Sequence, residues 1–276
     1  MNFIKRLLRT LYNALDYRLR NLIAFQRGKA ALGREQAELL EPDLPEEKKL
    51  RIRARQRALH EEFPLNGSLG RGSAELQRKK YYYLDLLETA FRRCNISLPD
   101  PMWAADIGPS HWFYVQALWS ILAWWERDHP RQVHLHGYET DPYRIYRDFY
   151  SRIDHARAHM NGLEGVEYHP SAYSQQPVRF DWIGQFFPFV FLADHLKWGL
   201  PRNQFAPMKL MADIWASLKP SGTWLILNQG EAEFNEQERL LAELEISPLE
   251  TFPFESPFYT YQHLTRVTVL RKPEDG

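Results

Sequence analysis

Between residues 102 and 271, short apolar runs alternate with longer stretches whose apolar positions recur every three or four residues. The short runs predict strands at Met102–Asp106, Val133–Glu139, Val166–His169, Phe180–Phe187 and Thr223–Leu227. The longer ones predict helices over Ser110–Arg127, Pro142–Met160, Phe205–Leu218 and Glu233–Leu244, with Pro142 suited to a first helical turn. Lys219-Pro220-Ser221-Gly222 reads as the turn into the fifth strand. Such alternation predicts a doubly wound α/β fold, a mostly parallel sheet covered by helices on both faces, with the first strand central. Two more strand-like runs, Leu249–Phe254 and Leu264–Leu270, are joined by a short connection. They predict an antiparallel pair that closes the sheet.

The first third of the chain is helical in pattern. Ile4, Leu8, Leu11, Leu15, Leu19, Leu22 and Ile23 form one helical stripe. Pro42 and Pro45 punctuate the chain before a charged helix over residues 46–62, and the segment 63–73 is a loop by composition. Ser73 is placed to cap a helix running to Arg93, with Leu76, Tyr83, Leu84, Leu87 and Phe91 on one side, expected to lie on the edge of the sheet. The organisation expected is an N-terminal helical arm and loop, 1–72, and an α/β domain, 73–276, that includes the packing helix.

Composition changes this picture in three places. Lysines plus arginines and acids both number 35, so no global field draws the chain to nucleic acid or membrane. Residues 1–30, however, carry seven cations against the single acid Asp16, which nominates an anionic membrane surface or a second copy as partner for the arm, with nucleic acid disfavoured. Cys94 is the only cysteine, which excludes an intrachain disulfide and fits a reducing, cytoplasmic setting. The most apolar stretch, Trp112 to Trp125, is too short to span a bilayer, and no signal peptide is evident. A soluble protein, peripheral at most to a membrane, is expected.

In open α/β sheets ligands bind beyond the carboxyl ends of the strands, where strand order reverses. That rule nominates Asp106-Ile107-Gly108-Pro109-Ser110-His111-Trp112, where Gly108 permits close backbone approach and Ser110 with the first helical amides can donate to an anion. It nominates Glu139 at the second strand tip, where an acid can accept from both hydroxyls of a ribose, and Ser171-Ala172-Tyr173 after the third, suited to an adenine edge. Gln185 to Phe189 and Asn228 to Glu231 end the fourth and fifth strands.

Asp106-Ile107-Gly108, Glu139-Thr140-Asp141-Pro142, Phe180-Asp181-Trp182-Ile183 and residues 218–226 (LKPSGTWLI), in this order, resemble the successive motifs of class I S-adenosylmethionine-dependent methyltransferases. The resemblance covers about residues 100–272 and includes the closing strand pair. It implies a methyl transfer from S-adenosylmethionine, with Asp106, Gly108 and Ser110 at the methionine end of the cofactor, Glu139 on the ribose, and Ser171 and Ala172 flanking adenine. The family's turn carries three alternating glycines; here the second and third are Ser110 and Trp112. A tryptophan there either fills space the cofactor needs or points into the core.

Phe187, Phe189, Trp198, Tyr259 and Tyr261 are candidates for an aromatic-lined acceptor site. Gln185, Asn228 and Gln229 are candidates for hydrogen bonding to an acceptor, small and compatible with aromatic walls. His195 is a candidate base, although the reaction needs none if the acceptor is already nucleophilic. His134 with His136, and His155 with His159, have metal-like spacing but lack a zincin glutamate, and no metal is assigned. The rival to an enzyme is a binding or scaffold protein that keeps the fold and has lost or altered cofactor binding. A nicotinamide-dependent oxidoreductase is disfavoured, because no Gly-x-Gly-x-x-Gly follows the first strand.

Overall fold

A computed structural model describes residues 3–33, 44–65, 69 and 71–274. Pro42 and part of the 63–73 loop lie outside the described residues.

The apolar runs assemble into one seven-stranded sheet of order β3-β2-β1-β4-β5-β7-β6. The strands are β1 (Met102–Ile107), β2 (Val133–Tyr138), β3 (Val166–His169), β4 (Phe180–Phe186), β5 (Leu218–Gln229), β6 (Glu250–Phe254) and β7 (Thr265–Arg271). β1 pairs in parallel with both β2 and β4, whereas β7 runs antiparallel to both β5 and β6. The expected interior first strand and closing antiparallel pair are both present. Strand order reverses between β1 and β4, so the crevice lies beyond the tips of these strands and β2.

Helices cover both faces. α1 (Phe3–Ile23), α2 (Glu46–Glu62) and α3 (Ala74–Arg93) precede the sheet, then α4 (Val115–Trp124) and α5 (Arg152–Met160), α6 (Leu192–Lys197), α7 (Pro207–Ser217) and α8 (Glu231–Glu243). α3 and α4 share one apolar core with the β1–β2 face, and α7 and α8 close a second core over the other face. Ser73 caps α3, its Oγ accepting from the Leu76 amide at 3.3 Å. α3 was expected at the sheet edge, yet it lies on a face. Tyr83 stacks on Tyr114 at 4.1 Å, and the Tyr82 hydroxyl is 2.9 Å from Thr265 Oγ1. Its tyrosines carry both the apolar area and the polar tips that such a wide face needs. α2 enters the same core through Ile52 and Leu59, with Phe63 just beyond it, and Arg55 pairs with Asp85 and Glu88 of α3.

Three boundaries depart from the sequence pattern, the first being that the helix expected from Ser110 starts only at Val115, after the left-handed turn at residues 108–112. Residues 219–222 are not a free turn but part of β5, because the Ser221 amide donates to Lys272 O and the Lys272 amide to Gly222 O. The helix expected from Pro142 begins only at Arg152. Ser151 caps it, its amide and Oγ both donating to Asp154 at 3.0 and 2.7 Å. Residues 142–151 instead form a loop, pinned where Asp141 accepts from Arg144 at 2.8 Å.

Gly137 in β2 shows how tightly the α4 face is packed. A Cβ built there meets the Trp112 ring at 2.7 Å, although nothing is strained in the backbone itself. Gly137→Ala should therefore destabilise the fold by about 1–3 kcal/mol through overpacking. Adding Trp112→Leu should recover part of that loss, because the two changes share one space. Urea unfolding of the single and double variants measures both; additive losses would show that the ring and Gly137 are uncoupled.

Candidate functional site

The turn from β1 into α4 adopts a left-handed backbone at three alternate positions, Gly108 (φ 78°), Ser110 (φ 57°) and Trp112 (φ 50°). Glycine takes such angles freely, while serine and tryptophan pay roughly 1–2 kcal/mol each. The strained pair persists because its polar groups are well used. The Gly108 amide donates to Tyr138 O at 2.9 Å, and the Ser110 amide donates to Glu139 Oε2 at 2.8 Å. The Tyr168 hydroxyl donates to Ser110 O at 2.7 Å.

Trp112 resolves the alternative left open by the sequence: its ring is fully buried, against Gly137 and beside Tyr168. Its indole N–H donates to Asp106 Oδ2 at 2.7 Å. Asp106, at the end of β1, is itself fully buried, and burial pushes its carboxyl up to about 7.

Glu139, expected at an open strand tip, is only 4% exposed. Oε1 accepts from the Asp141 amide at 2.7 Å and from Arg152 Nη1 at 3.2 Å, so with Ser110 both oxygens are engaged. Arg152 is buried too. Burial opposes its charge, yet Glu139, Tyr146 and Asp141 together hold its pKa above the ordinary value. Asp141 also accepts from Arg20 of α1 at 3.0 Å and from Arg144. Two buried carboxylates are thus balanced by three guanidinium groups. Sequence reasoning missed Arg152, because it stood inside an expected helix with no pattern to single it out.

A ring of aromatic and histidine side chains surrounds this network. Tyr146 OH lies 3.3 Å from His111 Nδ1 and 3.4 Å from Ser110 Oγ, and accepts from Arg152 Nε at 3.3 Å. His111 packs against His155 and His159. Burial, then the charges of His155 and Arg152, pushes His111 down to about 4, and burial holds His159 well below its usual value. Both are uncharged near neutrality.

The remaining candidates fall into two places. Ser171 and Ala172 are exposed beside the β2 tip, where His169 O accepts from both the Glu139 and Ser171 amides. Trp198 lies between the two places, its ring 5.3 Å from the Arg152 guanidinium and 5.9 Å from the Phe189 ring. Phe189 and Gln229 line a small cleft beyond β4 and β5, with Phe187, Phe191, Asp194 and Glu233. Gln185 and Asn228 are buried below these tips, and Gln185 Oε1 and both polar side-chain atoms of Asn228 lack a hydrogen-bond partner. His195 is buried with Nε2 donating to Pro201 O at 2.9 Å, wedged between the rings of Phe189 and Phe205. That bond commits its one accessible proton to the backbone.

His136, Glu167 and His169 converge between β2 and β3, their ligand atoms within 4.8 Å of one another, with His136 buried against Phe180. Arg179 Nη2 lies 3.1 Å from His136 Nε2, and His136 Nδ1 lies 2.9 Å from His169 Nε2. An arginine can only donate, so His136 must carry its proton on Nδ1 and pass it to His169. The cluster is a hydrogen-bond chain; a metal would need that nitrogen bare and a second N–H facing the guanidinium.

No family model and no curated protein matches the chain. Solved structures that it resembles include an S-adenosylmethionine-dependent methyltransferase from Aquifex aeolicus, 15% identical, TM-score 0.47, over 70% of this chain and 92% of that one. Another is the N-methyltransferase NodS from Bradyrhizobium japonicum in complex with S-adenosyl-L-homocysteine, 13% identical, TM-score 0.47, over 72% and 88%. A third is the cyclase SpnF, 12% identical, TM-score 0.47, over 70% and 81%. The strand order and the antiparallel β7 stand on their own in this chain. The fold is a doubly wound α/β sheet, mostly parallel, with β7 antiparallel to its neighbours. A fold hosts many chemistries, so the reaction must be argued from the residues at the strand tips.

The buried Asp106 gives a pH signature. Its folded pKa of about 7 exceeds the ordinary carboxylate value of about 3.9, so the folded state holds the proton more tightly. The cost of ionising it is absent below pH ~4, grows as pH rises, and levels off above pH ~7. His111, pushed down to about 4, acts in the opposite sense, losing stability as pH falls from about 6.5. Comparing wild type with Asp106→Asn isolates the first effect. The variant should gain stability relative to wild type between pH 4 and 7, and the gap should then stay constant in urea unfolding curves. A gap independent of pH would mean that Asp106 is ionised in the folded protein throughout.

Proposed function

We propose that the chain binds S-adenosylmethionine at the tips of β1 and β2 and transfers its methyl group to an acceptor. The observation that carries this reading is the turn itself. Residues 108, 110 and 112 keep the left-handed conformation that three glycines would take, despite the cost at Ser110 and Trp112, and the turn leads its amide toward an acid at the β2 tip. The Trp112 ring lies in the core rather than above the turn, which leaves the outer side of the turn to a ligand.

The residue types fit the cofactor. The Gly108 to Ser110 segment would hold the methionine end, Glu139 the ribose hydroxyls, and the exposed Ser171 and Ala172 the adenine edge. Bound there, the sulfonium supplies an electrophilic methyl group, and transfer is an in-line displacement that alignment and exclusion of water accelerate. The chain's own part is to orient. Arg152 and the Ser110 amide fix the Glu139 carboxylate, and the aromatic cleft of Phe187, Phe189 and Phe191 offers walls for a small acceptor. Gln229 adds a polar group at that cleft.

The engagement of Glu139 favours a second reading. With Arg152 and two amides on its oxygens, the carboxylate has its strong partners already, and a ribose must share or displace them. A chain in which Arg152 stands permanently in that place would use the fold for binding alone. The Glu139 side chain is also structural here, buried with both oxygens engaged. Glu139→Ala would take from the buried Arg152 its nearest carboxylate and leave Asp141, 3.6 Å away, as its remaining counter-ion, at about 1–3 kcal/mol.

Calorimetric titration with S-adenosylhomocysteine separates the two readings. The wild type should bind, and Glu139→Gln, which keeps the shape and loses the charge, should bind about ten- to a hundredfold more weakly. Absence of binding up to millimolar ligand, in protein shown to be folded, would leave the binding-module reading.

A further inference from the structure

α1 sits on the domain the wrong way round for a core helix. Asn13 Nδ2 donates to Leu196 O and Leu200 O at 2.9 and 3.0 Å, and Tyr17 OH donates to Thr140 O at 2.9 Å. Arg20 reaches Asp141 and Gly199 O. The docked face is therefore polar, and these bonds fix the helix's rotation.

The apolar stripe consequently faces outward. At 100° per residue, Leu11, Leu22, Leu15, Leu8, Leu19 and Ile23 fall in that order along an arc of about 120°. All six are exposed, Leu22 at 82%. Tyr12 lies within the same arc and is also exposed. Arg18 and Arg9 stand exposed on its two shoulders. The one acid of this helix, Asp16, is taken up by Arg20.

Exposed aromatic residues also lie on segments that touch the docked side and the C-terminal end of α1. Arg27 lies over the Tyr150 ring at 4.8 Å, and Arg20 contacts Gly199, so the 142–151 loop and Trp198 adjoin the last turn of α1. There Phe149 is 71% and Trp198 45% exposed, with Arg147 exposed beside Phe149. The nearby acids Asp148 and Asp194 are paired with His155 and Lys197. A monomeric soluble surface rarely presents so many large apolar side chains together.

We propose that α1 is an interfacial anchor whose outward apolar arc seats on a bilayer surface carrying anionic head groups. Charge decides the occupant. A second copy meeting this face would bring like cations onto like cations, with no free carboxylate on the shoulders to pair them. An anionic head-group layer supplies the missing charge to Arg9, Arg18 and Arg147, while the acyl boundary takes the leucines. No described helix is long and apolar enough to cross a membrane, so the contact is one of lying on the surface. The inference is independent of what the strand-tip crevice binds.

Flotation of the full chain with phosphatidylcholine vesicles, with and without 30% phosphatidylglycerol (about that fraction suffices for a negative surface), tests it. The wild type should float with the anionic vesicles and not with the neutral ones. Leu15→Glu with Leu22→Glu should abolish flotation, while circular dichroism and thermal unfolding stay unchanged, since neither side chain is buried. Arg9→Gln with Arg18→Gln should lower partitioning about twenty-five- to thirtyfold, near fivefold for each cation lost. Three results would overturn the proposal: no flotation of the wild type, flotation indifferent to the leucine changes, or a wild-type dimer in sedimentation velocity that these changes dissociate in the absence of vesicle binding.

Discussion

The Glu139 carboxylate is the tie on which the strand-tip end of the molecule depends. Its two oxygens hold the first turn of the β1–α4 connection through Ser110, the exit of β2 through Asp141, and the start of α5 through Arg152. A buried carboxylate is costly unless its acceptor capacity is filled, and Arg152 is as costly without its acids. Each therefore requires the other, and together they dictate that the chain after Asp141 loop outward before α5 begins. Arg20 extends the same balance to α1, so the N-terminal helix is fastened to the site by the charges that shape the site.

Trp112 plays the complementary part on the apolar side. Its ring occupies the space that Gly137 leaves empty, and its N–H holds the buried Asp106. The turn between them is strained at Ser110 and Trp112, and the hydrogen bonds to Glu139 and from Tyr168 offset that strain. Left-handed backbone at two non-glycine residues persists only where the surrounding contacts over-determine it, as the hydrogen bonds of Ser110 and Trp112 do here. The same residues that make the shape possible also fill part of the neighbourhood, which is why the site reads both as a cofactor cradle and as a closed network.

α1 inverts the usual rule that the apolar face of a helix turns inward. Its inward face is chosen by directional bonds to backbone carbonyls of the Leu196–Leu200 segment and to Thr140, not by area. Hydrophobic burial has no preferred rotation of its own once a stripe lacks a groove to enter, so the polar contacts win. The outcome is a helix that ties the strand-tip loops together on one side and offers an apolar, cation-flanked surface on the other.

Most of the fold was legible in the sequence, because strand and helix periods are local properties of the chain. β1, β3 and the β6–β7 pair lie within a residue of the positions the pattern predicts, and Ser73 caps α3 as its type implies. Asp106, Gly108 and Glu139 could be placed at the strand tips for the same reason. Where Trp112 points, which partners saturate Glu139, why α5 waits until Arg152 and which face of α1 is docked were decided by tertiary structure alone. Each depends on charges and donors that are far apart in sequence, such as Arg20 with Asp141 or Asn13 with Leu200, and meet only when the sheet is built. Periodicity fixes where a side chain stands on its own element; only the assembled molecule fixes what it faces.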